Sequence, residues 1–168
     1  MQPGPGALVI TEVMANPDVV TDTLGEWFEV CNTSGAPVSL DGLFLRHDAN
    51  DSQALLPIQG AMVVEPWAYV VLGKSLDPAL NGGVEVDYLL PADLSLTNTG
   101  DYLALETEDG VVVDETSWTT VAAGSSRSLD PAFLDASMND DDTNFCAATS
   151  FLPAGDRGTP RTANDACP

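Results

Sequence analysis

Basic residues are nearly missing from this 168-residue chain. Lys74 is its one lysine, and Arg46, Arg127, Arg157 and Arg161 are its arginines, against 26 acidic side chains and a net charge of −21. Such a surface repels phosphate backbones and anionic lipid headgroups, which excludes nucleic-acid binding through a basic patch and electrostatic docking on membranes. No run approaches the roughly 20 continuous apolar residues of a membrane span. The opening, Met1-Gln-Pro-Gly-Pro-Gly6, has no positive segment ahead of an apolar one, so no secretory leader is read there. If the protein is secreted, its leader has already been removed, and residues 1–6 read as the end of a linker. With one histidine, His47, multi-histidine metal sites are excluded, and nucleophilic catalysis would need a Ser or Cys beside it in space. There is no apolar stripe at the helical period, no repeat at the roughly 20–50-residue spacing of solenoids, and no low-complexity block.

What remains is a chain of β signals. Apolar residues make up 44%, enough for a packed core in one domain spanning residues 1–168. Strands are predicted over residues 7–14, 26–32, 43–47, 62–64, 69–72, 102–106, 111–118 and 126–129, with Ile10, Phe28, Val30, Val38, Leu40, Leu43 and Leu45 facing a core. Asp109-Gly110 marks a hairpin turn, because both residues tolerate positive φ. Two long connections, residues 74–94 and 119–144, interrupt the pattern, the first with a helical turn expected near Asp77. The fold class is therefore all-β, an antiparallel β-sandwich with long loop insertions.

Cys146 and Cys167 bracket a tail, residues 145–168, that is rich in Gly, Pro, Ala and Thr and poor in core-forming side chains. A Cys146–Cys167 disulfide would staple it to the body, leaving Cys31 unpaired inside a strand; three reduced cysteines are the alternative. The disulfide points to an oxidising compartment. Asp140, Asp142 and Asn144 place hard oxygen ligands at alternate positions of the run Asn139-Asp-Asp-Asp-Thr-Asn144, as Ca²⁺ requires, with solvated surface as the competing reading. Asp48, Asn50 and Asp51 form a thinner cluster. No other cofactor is expected. Trp27, Trp67 and Trp118 offer aromatic faces for sugar stacking. With Phe28 and Val30 inward, Trp27 points outward beside Glu29 and Cys31 as a contact surface, unless a loop folds over it. His47, in the run His-Asp-Ala-Asn-Asp-Ser, reads as a surface-loop residue with no catalytic role.

The order of these pieces resembles the lamin tail domain family. The resemblance is carried by LVITEVMANP (8–17), GEWFEVCNTSGAPVSLDGLFLRH (25–47), MVVEPWAYVVL (62–72) and LSLTNTGDYLAL (94–105). It continues in Gly110-Val-Val-Val-Asp114, the serine-rich segment 124–129, Asn144-Phe145-Cys146, and Gly158-Thr-Pro160 with Ala163-Asn164. Arg161 stands where bacterial members are expected to carry glycine. The resemblance implies an immunoglobulin-like sandwich acting as a non-catalytic module. It has no shared catalytic residues to carry over, and lamin functions do not transfer to a chain without a heptad rod. The expected function is an extracellular binding, adhesion or targeting module of a secreted or cell-surface bacterial protein. The alternatives are an accessory domain of a secreted hydrolase or a structural spacer. The expected partner is a protein or carbohydrate ligand, and the domain is expected to be monomeric.

Overall fold

Two β-sheets face each other across one core in the computed structural model, which describes residues 2–49 and 52–168. The strands are β1 (Leu8–Met14), β2 (Trp27–Asn32), β3 (Val38–Ser39), β4 (Phe44–Ala49), β5 (Ser52–Pro57), β6 (Val63–Val64), β7 (Tyr69–Gly73), β8 (Tyr88–Leu89), β9 (Asp101–Glu106), β10 (Val112–Trp118), β11 (Arg127–Leu129) and β12 (Phe145–Ala147). One sheet runs β12-β11-β1-β2-β7-β8 and the other β10-β9-β4-β5, with a small β3-β6 pair beside them. Pairing is antiparallel except for β7 with β8.

The core follows from side-chain alternation. Leu8, Ile10, Phe28 and Val30 from the first sheet meet Leu43, Leu45, Leu103, Leu105 and Val113 from around the second, all nearly solvent-free. All seven residues expected to face inward do so. The hairpin between β9 and β10 turns at Gly110, whose φ of 76° is the left-handed value the Asp-Gly pair promised. The helical turn expected near Asp77 is a single hydrogen-bonded turn, while the short α-helix Asp22–Gly25 has no clear sequence signal.

Two expectations need correction. The opening residues are not a trailing linker: Pro3 is buried, and the Gly6 N–H donates to the Val113 carbonyl of β10. His47 is not in a surface loop, because β4 continues to Ala49 and keeps the inward alternation begun by Leu45. Its Nε2 lies 2.9 Å from the Asp101 carboxylate, which also accepts the N–H groups of Thr97 and Tyr102.

The long connection 119–144 closes the gap between the sheets. Its Asn139, fully buried, donates to Asp114 Oδ2 on β10 at 2.7 Å, and the same oxygen accepts the Ile10 N–H of β1 at 2.6 Å. This seam covers the β10 edge, which would otherwise offer unpaired backbone groups to another chain.

Candidate functional site

The outer face of the six-stranded sheet carries the densest polar chemistry of the molecule, and its residues arise from one irregularity. A β-bulge between Ile10 and Glu12 adds Thr11 to β1, so Glu12 and Met14 point outward while Ile10 and Val13 stay in the core. Three cross-strand rows result: Met14 beside Trp27 and Gly73, Glu12 beside Glu29 and Val71, and Val9 beside Cys31 and Tyr69. Like charges directly opposite each other are destabilising in a solvated sheet. Here Glu12 and Glu29 are both fully buried.

They are buried because the tail lies over them. The Cys146–Cys167 disulfide holds the C-terminal strap, residues 149–168, against this face. Glu12 accepts the Ser126 and Ser128 hydroxyls from β11 and its flank, together with the N–H and hydroxyl of Thr159 in the strap. Glu29 accepts the Thr11 hydroxyl and the Arg161 N–H. Gly158 permits the close approach, since a Cβ there would sit 3.1 Å from the Trp27 ring and 3.3 Å from Glu12 Oε1. Arg161 takes a φ of 69°, a left-handed backbone that favours glycine. Its guanidinium reaches out to Asp87 and Glu85. Between the strap and Glu85 runs a groove of about 550 Å³, lined by Ser150, Leu152, Pro153, Thr159 and Thr162 among others.

Burial sets the protonation of this face. It pushes the Glu12 carboxyl above the usual range, and with the charge of Glu12 it raises Glu29 to about 8. The pair therefore holds a proton at neutral pH, which relieves the repulsion. Burial also lifts the Cys31 thiol to about 11 and the Tyr69 hydroxyl to about 12, so neither is a nucleophile. The chemistry of the face is that of a clasp: acids with donors on every side, closed to water.

The expected contact surface at Trp27 is corrected by the same geometry. Trp27 does point outward from the sheet but is only 2% exposed, packed with Met14, Val71, Val84 and Leu152 beneath the strap. Trp118 is buried on the opposite sheet and donates its ring N–H to the Thr97 carbonyl. Trp67 alone of the three is displayed, 63% exposed. The three tryptophans thus form no common face.

Asp140, Asp142 and Asn144, the residues proposed as calcium ligands, each have neighbours of their own. Asp142 accepts Arg127 Nε at 2.8 Å, and that guanidinium stacks on the Phe145 ring while donating to Thr116 and Ser117. Asn144 donates its amide to the Met138 carbonyl. Asp140 stands near Glu115 instead, whose charge adds to burial in raising its carboxyl. Among the described residues no group of three or more His, Cys, Asp or Glu side chains is placed to hold a metal ion. Of the thinner cluster, Asp48 falls in β4, and Asn50 and Asp51 lie outside the described residues. Calcium and sodium at matched ionic strength are accordingly expected to raise the melting temperature equally, by screening the net charge of −21. A calcium-specific rise that disappears in an Asp140→Asn, Asp142→Asn double variant would contradict this placement.

The glutamate clasp escaped the sequence reading. Its signal was Glu12, a charged residue inside the apolar run Leu8–Met14, with serines alternating at positions 126 and 128. The Cys146–Cys167 pairing and the unpaired, buried Cys31 are as expected. No helix among the described residues is long and apolar enough to cross a membrane.

No curated protein matches the chain. The family model described as Lamin Tail Domain matches residues 2–120, which hold both faces of the sandwich from β1 to β10 and stop short of the strap. The bulged β1, the β2–β7 ladder and the β9–β10 hairpin all fall inside that match, and on it the chain belongs to the lamin tail domain family of immunoglobulin-like, non-catalytic modules.

Proposed function

We propose that this domain is a non-catalytic binding or targeting module of a secreted or cell-surface bacterial protein, presenting its surface to a protein or carbohydrate ligand. The observation that carries the reading is the disulfide-tethered strap. A cross-link that fastens a Gly- and Pro-rich tail suits an oxidising compartment, where it persists. The same strap covers Glu12 and Glu29, the pair that would otherwise be the best placed for acid–base work, and commits every oxygen pair to internal donors. His47 is likewise committed, to Asp101. Acidity suits a module that must stay soluble and shun anionic surfaces.

The purified domain is expected to turn over neither generic phosphoesters nor glycosides. Turnover abolished by Glu29→Gln would replace this reading with the hydrolase one. Peptide mapping of protein recovered from its native location, without reduction, is expected to link Cys146 to Cys167. Both thiols free there would overturn the extracellular assignment.

A further inference from the structure

Trp67 is the largest side chain that the fold leaves in water, and its backbone is held in a conformation that disfavours it. The turn Glu65-Pro66-Trp67-Ala68 closes with the Ala68 N–H on the Glu65 carbonyl at 3.0 Å, and Trp67, third in the turn, has a φ of 62°. After a proline that position calls for glycine, because a Cβ crowds the backbone there. Burial does not compensate, since the residue is 63% exposed while Trp27 and Trp118 are 2% and 3% exposed. Strain at an exposed aromatic is the pattern that local stability does not explain and that function does.

The turn is also clamped. The Trp67 N–H donates to the Asn32 carbonyl at 2.7 Å, and the Asn32 N–H donates to the Ala68 carbonyl at 3.0 Å. Asn32 is fully buried and spends its side-chain amide on the Ala36 and Val64 carbonyls, both at 2.9 Å. The ring is therefore presented on a fixed backbone, so little ordering cost remains for a ligand to meet.

We propose that Trp67 is the stacking platform of a surface site for a neutral sugar ring, with Glu65, exposed and two residues earlier in the same turn, accepting sugar hydroxyls. This rests on the binding-module reading and names its ligand class. The net charge of −21 disfavours phosphorylated, sulfated or uronic-acid ligands. A bare cation is better served by several aromatic rings that strip its water than by one open face. A pyranose offers a flat C–H face to a single indole and hydroxyls to a carboxylate.

Because the other two tryptophans are buried, acrylamide quenching of tryptophan fluorescence reads Trp67 directly. The probes are cellohexaose, mannohexaose, xylohexaose and N-acetylchitohexaose, with choline as the cationic control. At least one hexaose is expected to protect the exposed fluorophore and shift its emission to the blue, independently of salt. W67A should weaken that binding at least tenfold, measured by calorimetry, and E65Q to a lesser degree. W67G relieves the backbone strain, so it should melt at or above the wild-type temperature and yet not bind. Protection by choline alone, by no probe, or binding that survives W67G would overturn the proposal. Those outcomes leave the turnover screen and the disulfide mapping untouched, so the failure of the ligand class and the failure of the non-catalytic, extracellular reading are separately visible.

Discussion

Replacing Cys146 and Cys167 together with serine is expected to remove about 3 kcal/mol of stability, by the chain-entropy model for a closed loop of this length. The two residues are separated by 21 positions, and the strap between them has few apolar anchors beyond Leu152. For a domain of this size that loss corresponds to roughly 6–12 °C in melting temperature. The strap would still be held by the Thr159 and Arg161 N–H groups on Glu12 and Glu29, and closed on itself by Asp165, which accepts the Thr149 and Ser150 N–H groups. The expected variant is thus folded at its core but loosened over Trp27. Two readouts separate these effects: the urea midpoint, and the fraction of tryptophan emission open to acrylamide. Native protein exposes Trp67 alone, so a second quenchable population would be Trp27 coming uncovered. An unchanged midpoint would show that the strap is held by its hydrogen bonds and that the disulfide adds nothing.

The strap also explains which parts of the structure could be read in the sequence. Alternation along residues 26–32 and 43–47 assigned Phe28, Val30 and Leu45 to the core, because a strand has two faces and a core needs one. It also placed Trp27, Glu29 and Cys31 on the other face, where they are. What alternation cannot supply is whether another segment covers that face. The segment that does so at Glu12 lies 147 residues away, and no local pattern near Thr159 names its landing place. The acidic run poses a similar question. Spacing at Asp140, Asp142 and Asn144 shows available oxygens, but the cation that engages Asp142 is Arg127, which comes in from the neighbouring strand. His47 turns on a boundary: β4 runs on to Ala49, so the position stays on the inward face instead of entering a loop. The strands β3, β8 and β12, two or three residues long, fall below the length at which periodicity exists.

Raising the pH from 5 to 9 is expected to destabilise this protein, although most proteins are most stable between about pH 5 and 8. Glu12 is raised by burial, Glu26 to about 7, and Glu29 and Asp114 to about 8, also chiefly by burial. The folded state therefore keeps protons that the unfolded chain has already lost. Stability from these groups is complete below the unfolded values near 4 and fades as the pH rises through about 7 to 8. In that window each such proton contributes a slope of about 1.4 kcal/mol per pH unit. The groups shifted the other way act elsewhere: Asp165, lowered to about 2 by its Thr149 and Ser150 donors, supports the fold above pH 4 and fails only in stronger acid. The optimum should accordingly lie in mild acid.

Two near-isosteric substitutions locate the protons. At the clasp, Glu29→Gln replaces the protonated carboxyl opposite Glu12 and can still accept the Arg161 N–H through its amide oxygen. At the seam, Asp114 Oδ1 and Asn139 Oδ1 are both buried without a partner. A proton on Asp114 Oδ1 turns that unpartnered buried acceptor into a donor, as does the amide of Asp114→Asn. Both variants should match or exceed wild-type stability at pH 9 and show a shallower dependence of the urea midpoint on pH. Wild-type stability that is flat or rising from pH 5 to 9 would mean that Glu29 and Asp114 are ionised in the fold. A general effect of the −21 charge would instead leave both variants as pH-sensitive as the wild type and would be suppressed by salt, whereas the buried protons are not screened.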